Sequence, residues 1–396
     1  MTRPTKGFRY SGVAAGIKSA GALDLGLIAA DAPVPAAGVF TRNLVRAAPV
    51  VLSERRLRGG AAQAILVNSG NANACTGRAG HEVAIASTRA VAKRLGVAAK
   101  LVLPASTGVI GVPIAHGQIE AAVPKLVDAL SARDTSTFAN AILTTDRGPK
   151  EAGATLVVGS TRCRILGVAK GAGMIHPNMA TTLAFVTTDA AVGHRALLSH
   201  LSRAAERTFN RATVDGDTST NDSIYALASG ASASRSVSSR GADADKFGSA
   251  LTDVLESLVK MIVADGEGAE HLVRITVQGT RTHDDAVQIA RTVGGSQLVK
   301  TAIHGADPNW GRILAAAGRA GVRLNPDHVS ISIGSVGIFD HGRPTMPPKT
   351  EAKAARVMRR PEYEITVEVG KGRGLGHYWT CDLGHEYVRI NADYRT

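Results

Sequence analysis

At 396 residues the chain is long enough for two or three domains, or for one large core with a smaller lobe. Its 44% hydrophobic content is that of a globular protein, and no apolar stretch reaches the ~18–20 residues of a membrane span. The net charge of +13 comes from scattered Arg and Lys, with short clusters only at Arg55-Arg56-Leu57-Arg58 and Arg356–Arg360; no basic run interleaves with aromatics, which argues against a nucleic-acid partner and leaves an anionic small molecule as the beneficiary of the field.

The first residues, Met1–Gly7, lead into no apolar h-region, so no secretory signal is expected. The three cysteines, Cys75, Cys163 and Cys381, are far apart and odd in number, which fits a reduced, cytoplasmic compartment. Hydrophobic spacing predicts strands over 63–68 and 101–105 and amphipathic helices over 82–95 and 117–132. A hairpin follows, with strands 155–159 and 162–168 around Gly159-Ser160, and then a strand over 183–187. Helices are expected over 194–207 and 245–264, with Ser-rich 231–240 as a connecting loop. Strand 271–278 places Val273, Ile275 and Val277 on one face. Gly279–Thr282 marks an expected division between a main domain, 1–280, and a smaller lobe, 281–396, that opens with helix 283–292 and holds strands 329–333 and 363–369. Mixed strands and helices predict a layered α/β (α+β) protein.

The most unusual segment is Lys170-Gly-Ala-Gly-Met-Ile-His-Pro-Asn-Met-Ala-Thr-Thr-Leu183, between two predicted strands. Gly171 and Gly173 allow close approach of other groups, and Pro177 fixes a turn. A small residue, Ala180, followed by Thr181 at the head of an apolar strand suits a self-processing threonine. Its hydroxyl attacks the Ala180 carbonyl, and hydrolysis of the ester frees an amine that then serves the same hydroxyl as base. A plain strand–turn–strand is the competing reading; a phosphate loop is disfavoured because Lys170 precedes the glycines. Pro104-Ala-Ser-Thr-Gly-Val-Ile-Gly111 ends a strand in a hydroxyl and a free-turning glycine, which are components of an oxyanion hole and equally of an ordinary turn. Asp215–Asp222 is dense in carboxylates and hydroxyls but lacks the position-12 Glu of an EF-hand. Glu267 either binds a substrate ammonium or caps the long helix. Asn309 and Arg312 either support a site or cap a helix.

These segments, with Gly12–Lys18, Ala37–Asn43, Asn68–Cys75, Thr144-Thr145-Asp146, Leu298–Ala302 and Asp307–Arg312, resemble in order the ornithine acetyltransferases, also called glutamate N-acetyltransferases or the arginine-biosynthesis J family. The resemblance covers nearly the whole chain. It implies a layered sandwich with a smaller C-terminal lobe, and cleavage between Ala180 and Thr181 into chains 1–180 and 181–396 that pair as a heterotetramer. It implies Thr181 as nucleophile, Thr107 and Gly108 as oxyanion hole, and Thr144, Lys170, Thr181, Glu267, Asn391 and Thr396 as substrate-binding residues. The implied reaction is ping-pong: N-acetylornithine acetylates Thr181, ornithine leaves, and glutamate takes the acetyl group. No metal or cofactor is required; acetyl-CoA is a further acetyl donor in some members, and the acetylornithine-only type is the expectation here. Thr182 departs from the family, where an apolar residue often follows the nucleophile. A paralogue acting on another amine and a related self-cleaving aminopeptidase are the alternatives.

Overall fold

The computed structural model describes residues 3–18, 21–176 and 182–393. Eight strands form the larger sheet: β1 (Phe8–Val13), β2 (Leu25–Phe40), β3 (Ala61–Asn68), β4 (Val102–Ser106), β5 (Lys150–Val158), β6 (Thr161–Lys170), β7 (Leu183–Thr188) and β8 (Ser223–Ala228). The order is β4-β3-β2-β8-β7-β6-β5, with β1 also on β2. The pairs β3–β4 and β7–β8 are parallel, and the other pairs are antiparallel.

The sixteen-residue β2 serves two layers. Its first part pairs with β3 through an irregularity between Ala29 and Val34, and Ala36–Phe40 pair with β8. Three apolar cores show the stacking. Phe8, Ile28 and Ile65 from one half meet Val168, Phe185 and Tyr225 from the other in an inner core. Helices α2 (Gly77–Leu95) and α3 (Gln118–Asp128) cover the outside of the first half, while α1 (Ala48–Leu57) lies before them in the chain. After α4 (Ser136–Ala141) come α5 (His194–Arg207) and α6 (Ala242–Ala264), which cover the outside of the second half. The result is a four-layer α-β-β-α sandwich, in which β7 and β8 are buried on both faces while β5 and the crossover of β2 leave residues exposed.

Alternation in β6 decides where chemistry falls. Cys163, Ile165 and Ala169 face α6, and Leu166 and Val168 face the inner core. Lys170 has the inward parity, so the strand delivers its side chain to the space between the layers. Gly167 lets α6 lie close: a Cβ there would stand 2.8 Å from Leu258 and from Val254.

The smaller sheet contains β9 (Leu272–Thr280), β10 (Ser330–Ile333), β11 (Val336–Asp340), β12 (Arg343–Pro344), β13 (Glu362–Glu368) and β14 (Gly374–Cys381), in the order β12-β11-β10-β13-β9-β14. As the period-2 pattern predicts, Val273, Ile275 and Val277 enter its core, where α7 (His283–Gly294), α8 (Gln297–His304), α9 (Trp310–Gly318) and α10 (Pro348–Met358) also pack. A capping box between Thr282 and Asp285 starts α7. Strand β9, which ends at Thr280, belongs to this sheet and not to the larger one. The last helix, α11 (His385–Asp393), returns to the larger sandwich. Among the described residues no helix is long and apolar enough to cross a membrane.

Candidate active site

The ends of β4 and β6, the start of β7, the 215–222 turn and the end of α6 enclose a cleft of about 230 Å³. Its walls include Thr107, Gly108, Thr144, Lys170, Glu267 and Asn391. Sequence separations of up to 284 residues are thus closed into one site. Thr181, Ala180 and Thr396 lie outside the described residues; Met174, Thr182 and Leu183, on either side of the expected cleavage point, line the cleft.

Thr107 and Gly108 sit on a turn braced from behind. Thr107 N donates to Asn68 O at 3.0 Å and Val109 N to Gly70 O at 3.3 Å, whereas among the described residues no acceptor engages the Gly108 N–H. Gly108 has φ +130°, and a Cβ there would stand 2.3 Å from the Gly70 carbonyl carbon, so only glycine fits. The Asn-rich loop holds the turn rigid. Asn68 Nδ2 donates to Asn71 O (2.8 Å), Ser106 Oγ to Asn68 Oδ1 (2.6 Å), and Asn221 Nδ2 to Ala72 O (2.6 Å) and Ser106 O (2.8 Å). A fixed hydroxyl and an uncommitted N–H are what a developing oxyanion needs.

Lys170 Nζ donates to Thr144 Oγ1 at 2.6 Å and to Thr107 Oγ1 at 3.3 Å, with Asp146 Oδ2 at 3.7 Å. Asp146 is fully buried and organises the floor. It accepts from Gly171 N (2.6 Å) and Thr144 N (3.0 Å) and pairs with Lys150 Nζ (2.7 Å), which also reaches Asp265 at 2.5 Å. Burial alone would raise the Asp146 carboxyl; Lys170, Lys150 and the hydrogen bonds outweigh it and hold Asp146 well below the usual carboxylate range.

Glu267 forms the opposite wall. Its Oε1 accepts from Thr145 Oγ1 (2.7 Å) and its Oε2 from Asn391 Nδ2 (2.8 Å). Gly173 makes room for it: a Cβ at that position would lie 2.4 Å from Glu267 Oε2. The capping reading of Glu267 is therefore replaced by a cleft-facing carboxylate.

Residues 174–176 are pinned. Met174 N and Ile175 N donate to the two oxygens of Asp215 (2.6 and 2.9 Å), and Val214 N donates to Ile175 O (2.7 Å). His176 Nδ1 meets Thr213 Oγ1 (3.1 Å), and its Nε2 accepts from Arg291 (2.8 Å). Burial and the neighbouring guanidinium push its pKa down to about 4, so the ring is neutral. Asp215–Asp222 therefore braces the chain ahead of the expected cleavage point and lines the cleft.

Asp222 is 3% exposed, its Oδ2 has no hydrogen-bond partner among the described residues, and it lines the cleft. Burial raises its pKa well above the carboxylate range, against the pull of hydrogen bonds from Ser219 and the charge of Lys170. Composition of the 215–222 stretch signals an acidic turn, but nothing in a single sequence separates the backbone-bound Asp215 from the unpartnered Asp222. Asp146 is likewise invisible as an organising charge without the contacts. Asn309 and Arg312 lie outside the cleft: Asn309 Oδ1 caps α9 by accepting from Arg312 N, and the Arg312 guanidinium bonds Leu298 O and Thr301 Oγ1.

Residues 9–396 match the ArgJ family. The arginine biosynthesis bifunctional protein ArgJ 1 of Nostoc sp. is 45% identical over 100% of this chain and 98% of its own length. The arginine biosynthesis bifunctional protein ArgJ of Geobacter sulfurreducens is 46% identical over 99% of each. A crystal structure of the ArgJ protein from Bacillus halodurans matches 53% of this chain and 98% of that chain at 42% identity, with a TM-score of 0.51. With a match that runs from β1 to the last residue and relatives of this likeness along their full length, the chain belongs to the ArgJ family.

Proposed function

We propose that this enzyme transfers acetyl from N-acetylornithine to glutamate through an O-acetyl-Thr181 intermediate, after cutting itself between Ala180 and Thr181. The acetyltransferase role in the acetyl cycle of arginine biosynthesis follows from family membership. The observation that carries the mechanism is the cleft itself. It opens beside Thr182, the residue after the nucleophile, and gathers the Thr107–Gly108 turn, Lys170 and Glu267 around that point.

The chemistry divides among these groups. The Thr181 amine, freed by cleavage, takes the hydroxyl proton as Oγ attacks the acetyl carbon. The Gly108 N–H and the Thr107 hydroxyl receive the oxyanion. Lys170, held by Thr144, adds a positive charge on the same side. Glu267, with Asn391 and the terminal Thr396, holds the amino-acid part, the carboxylate facing the substrate's cationic nitrogen. Breakdown expels ornithine and leaves the acetyl ester, which the amine of glutamate then attacks.

Two chains, 1–180 and 181–396, follow from this reading, assembled as a heterotetramer in the cytoplasm, with the smaller lobe beginning at β9. The Bacillus halodurans chain, matched over nearly its whole length by about half of this one, supports a divided product. The relatives' name, bifunctional, supports a second activity beyond the acetylornithine-only expectation, for which we propose acetyl-CoA as the donor. The test is acetylation of glutamate from each donor by purified protein. Transfer from acetylornithine supports the reading; hydrolysis of aminoacyl-nitroanilides without transfer replaces it with an aminopeptidase.

A further inference from the structure

The cleft contains a carboxyl that the mechanism above does not use. Asp222 is 3% exposed, and among the described residues one of its oxygens has no partner, although a buried polar atom left so carries a desolvation cost of about 1–3 kcal/mol. It sits at the head of β8 beside the head of β7: Ser223 N donates to Thr182 O at 2.9 Å, in register with the parallel Leu183–Ser223 pair. The groups that face it are Lys170 from β6, Asp215 and Ser219 from its own turn, and Thr182 from β7. A group kept at such cost, lining the cleft beside Thr182, is a ligand-facing group.

The reaction requires a proton at that place. Acetylornithine is a neutral amide, whereas ornithine leaves as an ammonium; glutamate arrives as an ammonium and attacks as an amine. The Thr181 amine moves only the hydroxyl proton. We propose that Asp222 carries the remaining proton from one substrate amine to the other. This rests on the O-acetyl-Thr181 reading. In the first half, the C–N bond breaks with its electron pair on nitrogen, the Thr181 ammonium delivers the hydroxyl proton to give R–NH2, and the Asp222 carboxylic acid protonates it to R–NH3+. Asp222 is left as a carboxylate beside Lys170. In the second half, the glutamate ammonium returns one proton to Asp222, and the free amine attacks the ester. One turnover restores the acid with no proton drawn from solvent. Burial shifts the carboxyl towards its protonated form, the direction the first half demands.

Asp222→Asn keeps the shape and removes the exchangeable acid. The two half-reactions are measured separately: ornithine release in a single turnover, and transfer from the isolated acetyl-enzyme to glutamate. Both should slow about 10²–10⁴-fold, the usual range for general acid–base help. The variant's second half should recover as pH rises and free glutamate amine accumulates, while Asp222→Glu should regain part of the neutral-pH rate. Slowing with unchanged pH profiles, or no slowing, overturns the proposal. If Asp222→Asn does not fold, infrared difference spectra of the wild-type protein decide: formation of the acetyl-enzyme with ornithine bound should bleach a protonated-carboxyl C=O band, and the absence of any bleach overturns the proposal. Intact mass of the acetyl-enzyme keeps the two readings apart, since acetyl missing from the chain that begins at Thr181 sinks the nucleophile and not the proton carrier.

Discussion

Asn391 Nδ2 lies 2.8 Å from Glu267 Oε2, which ties the last helix, α11, to the cleft wall that closes α6. Gly268, the next residue, has φ +72° and no room for a side chain against the backbone of α11, where a Cβ would lie 2.5 Å from Tyr387 N. The C-terminal helix, together with the Thr145 hydroxyl, thus fixes the orientation of the carboxylate. Glu267→Gln keeps this geometry and removes the charge. It should weaken ornithine binding by about 2–3 kcal/mol, a fall of roughly 30–150-fold by calorimetry. Unchanged affinity would remove Glu267 from ammonium binding.

Thr107→Ala removes one of the two oxyanion donors and leaves the Gly108 N–H in place. The rate of acetyl transfer should fall by about 10²-fold, with ornithine affinity little changed. Steady-state kinetics with acetylornithine and glutamate check this. An unchanged rate moves the oxyanion hole elsewhere.

Lys150 is 3% exposed and bonds both Asp146 and Asp265, so Lys150→Met leaves two carboxylates without their shared cation. Breaking such a buried set costs about 3–5 kcal/mol. Chemical denaturation should show the loss as a lower midpoint with a similar slope.

His176 gives a pH dependence of stability. Its folded pKa is depressed to about 4 from an ordinary 6.5, so between those values the unfolded chain binds the extra proton. Stability should decline as pH falls through 6.5 towards 4. His176→Gln should flatten that decline, and denaturation midpoints at several pH values in this window measure it. Asp146 acts lower: held down by Lys170 and Lys150, its contribution is present above the ordinary carboxylate range and is lost only as the solution becomes strongly acidic.

The helices with a full apolar stripe were legible from sequence. His194–Arg207 coincides with the expected span, and Ala242–Ala264 begins three residues earlier than expected because Asp243 and Asp245 occupy its first turn. The long β2 was not legible. Its run Ala29–Ala37 carries Asp31, Pro33 and Pro35, which break the period-2 pattern and read as a turn, and the strand survives because that part is an exposed crossover between layers. Strand β8 and helix α10 escaped for opposite reasons: β8 is buried on both faces and lacks alternation, while α10 is mostly exposed and lacks a stripe. At the site, Thr107, Gly108, Thr144, Lys170, Glu267 and Asn391 were named from motif resemblance and meet at one cleft. Asp146 and Asp222 do not stand out in the sequence, because their importance comes from burial and partners that span the chain.

The central claim, a threonine freed by self-cleavage that then carries the acetyl group, is tested most directly by intact mass and N-terminal sequencing of the purified protein before and after addition of N-acetylornithine, with Thr181→Ala alongside. Two chains are expected, the second beginning Thr181-Thr182-Leu183 and gaining one acetyl group, with a single uncut, inactive chain for the variant. A single uncut chain that still transfers acetyl, or acetyl found on another residue, would contradict it.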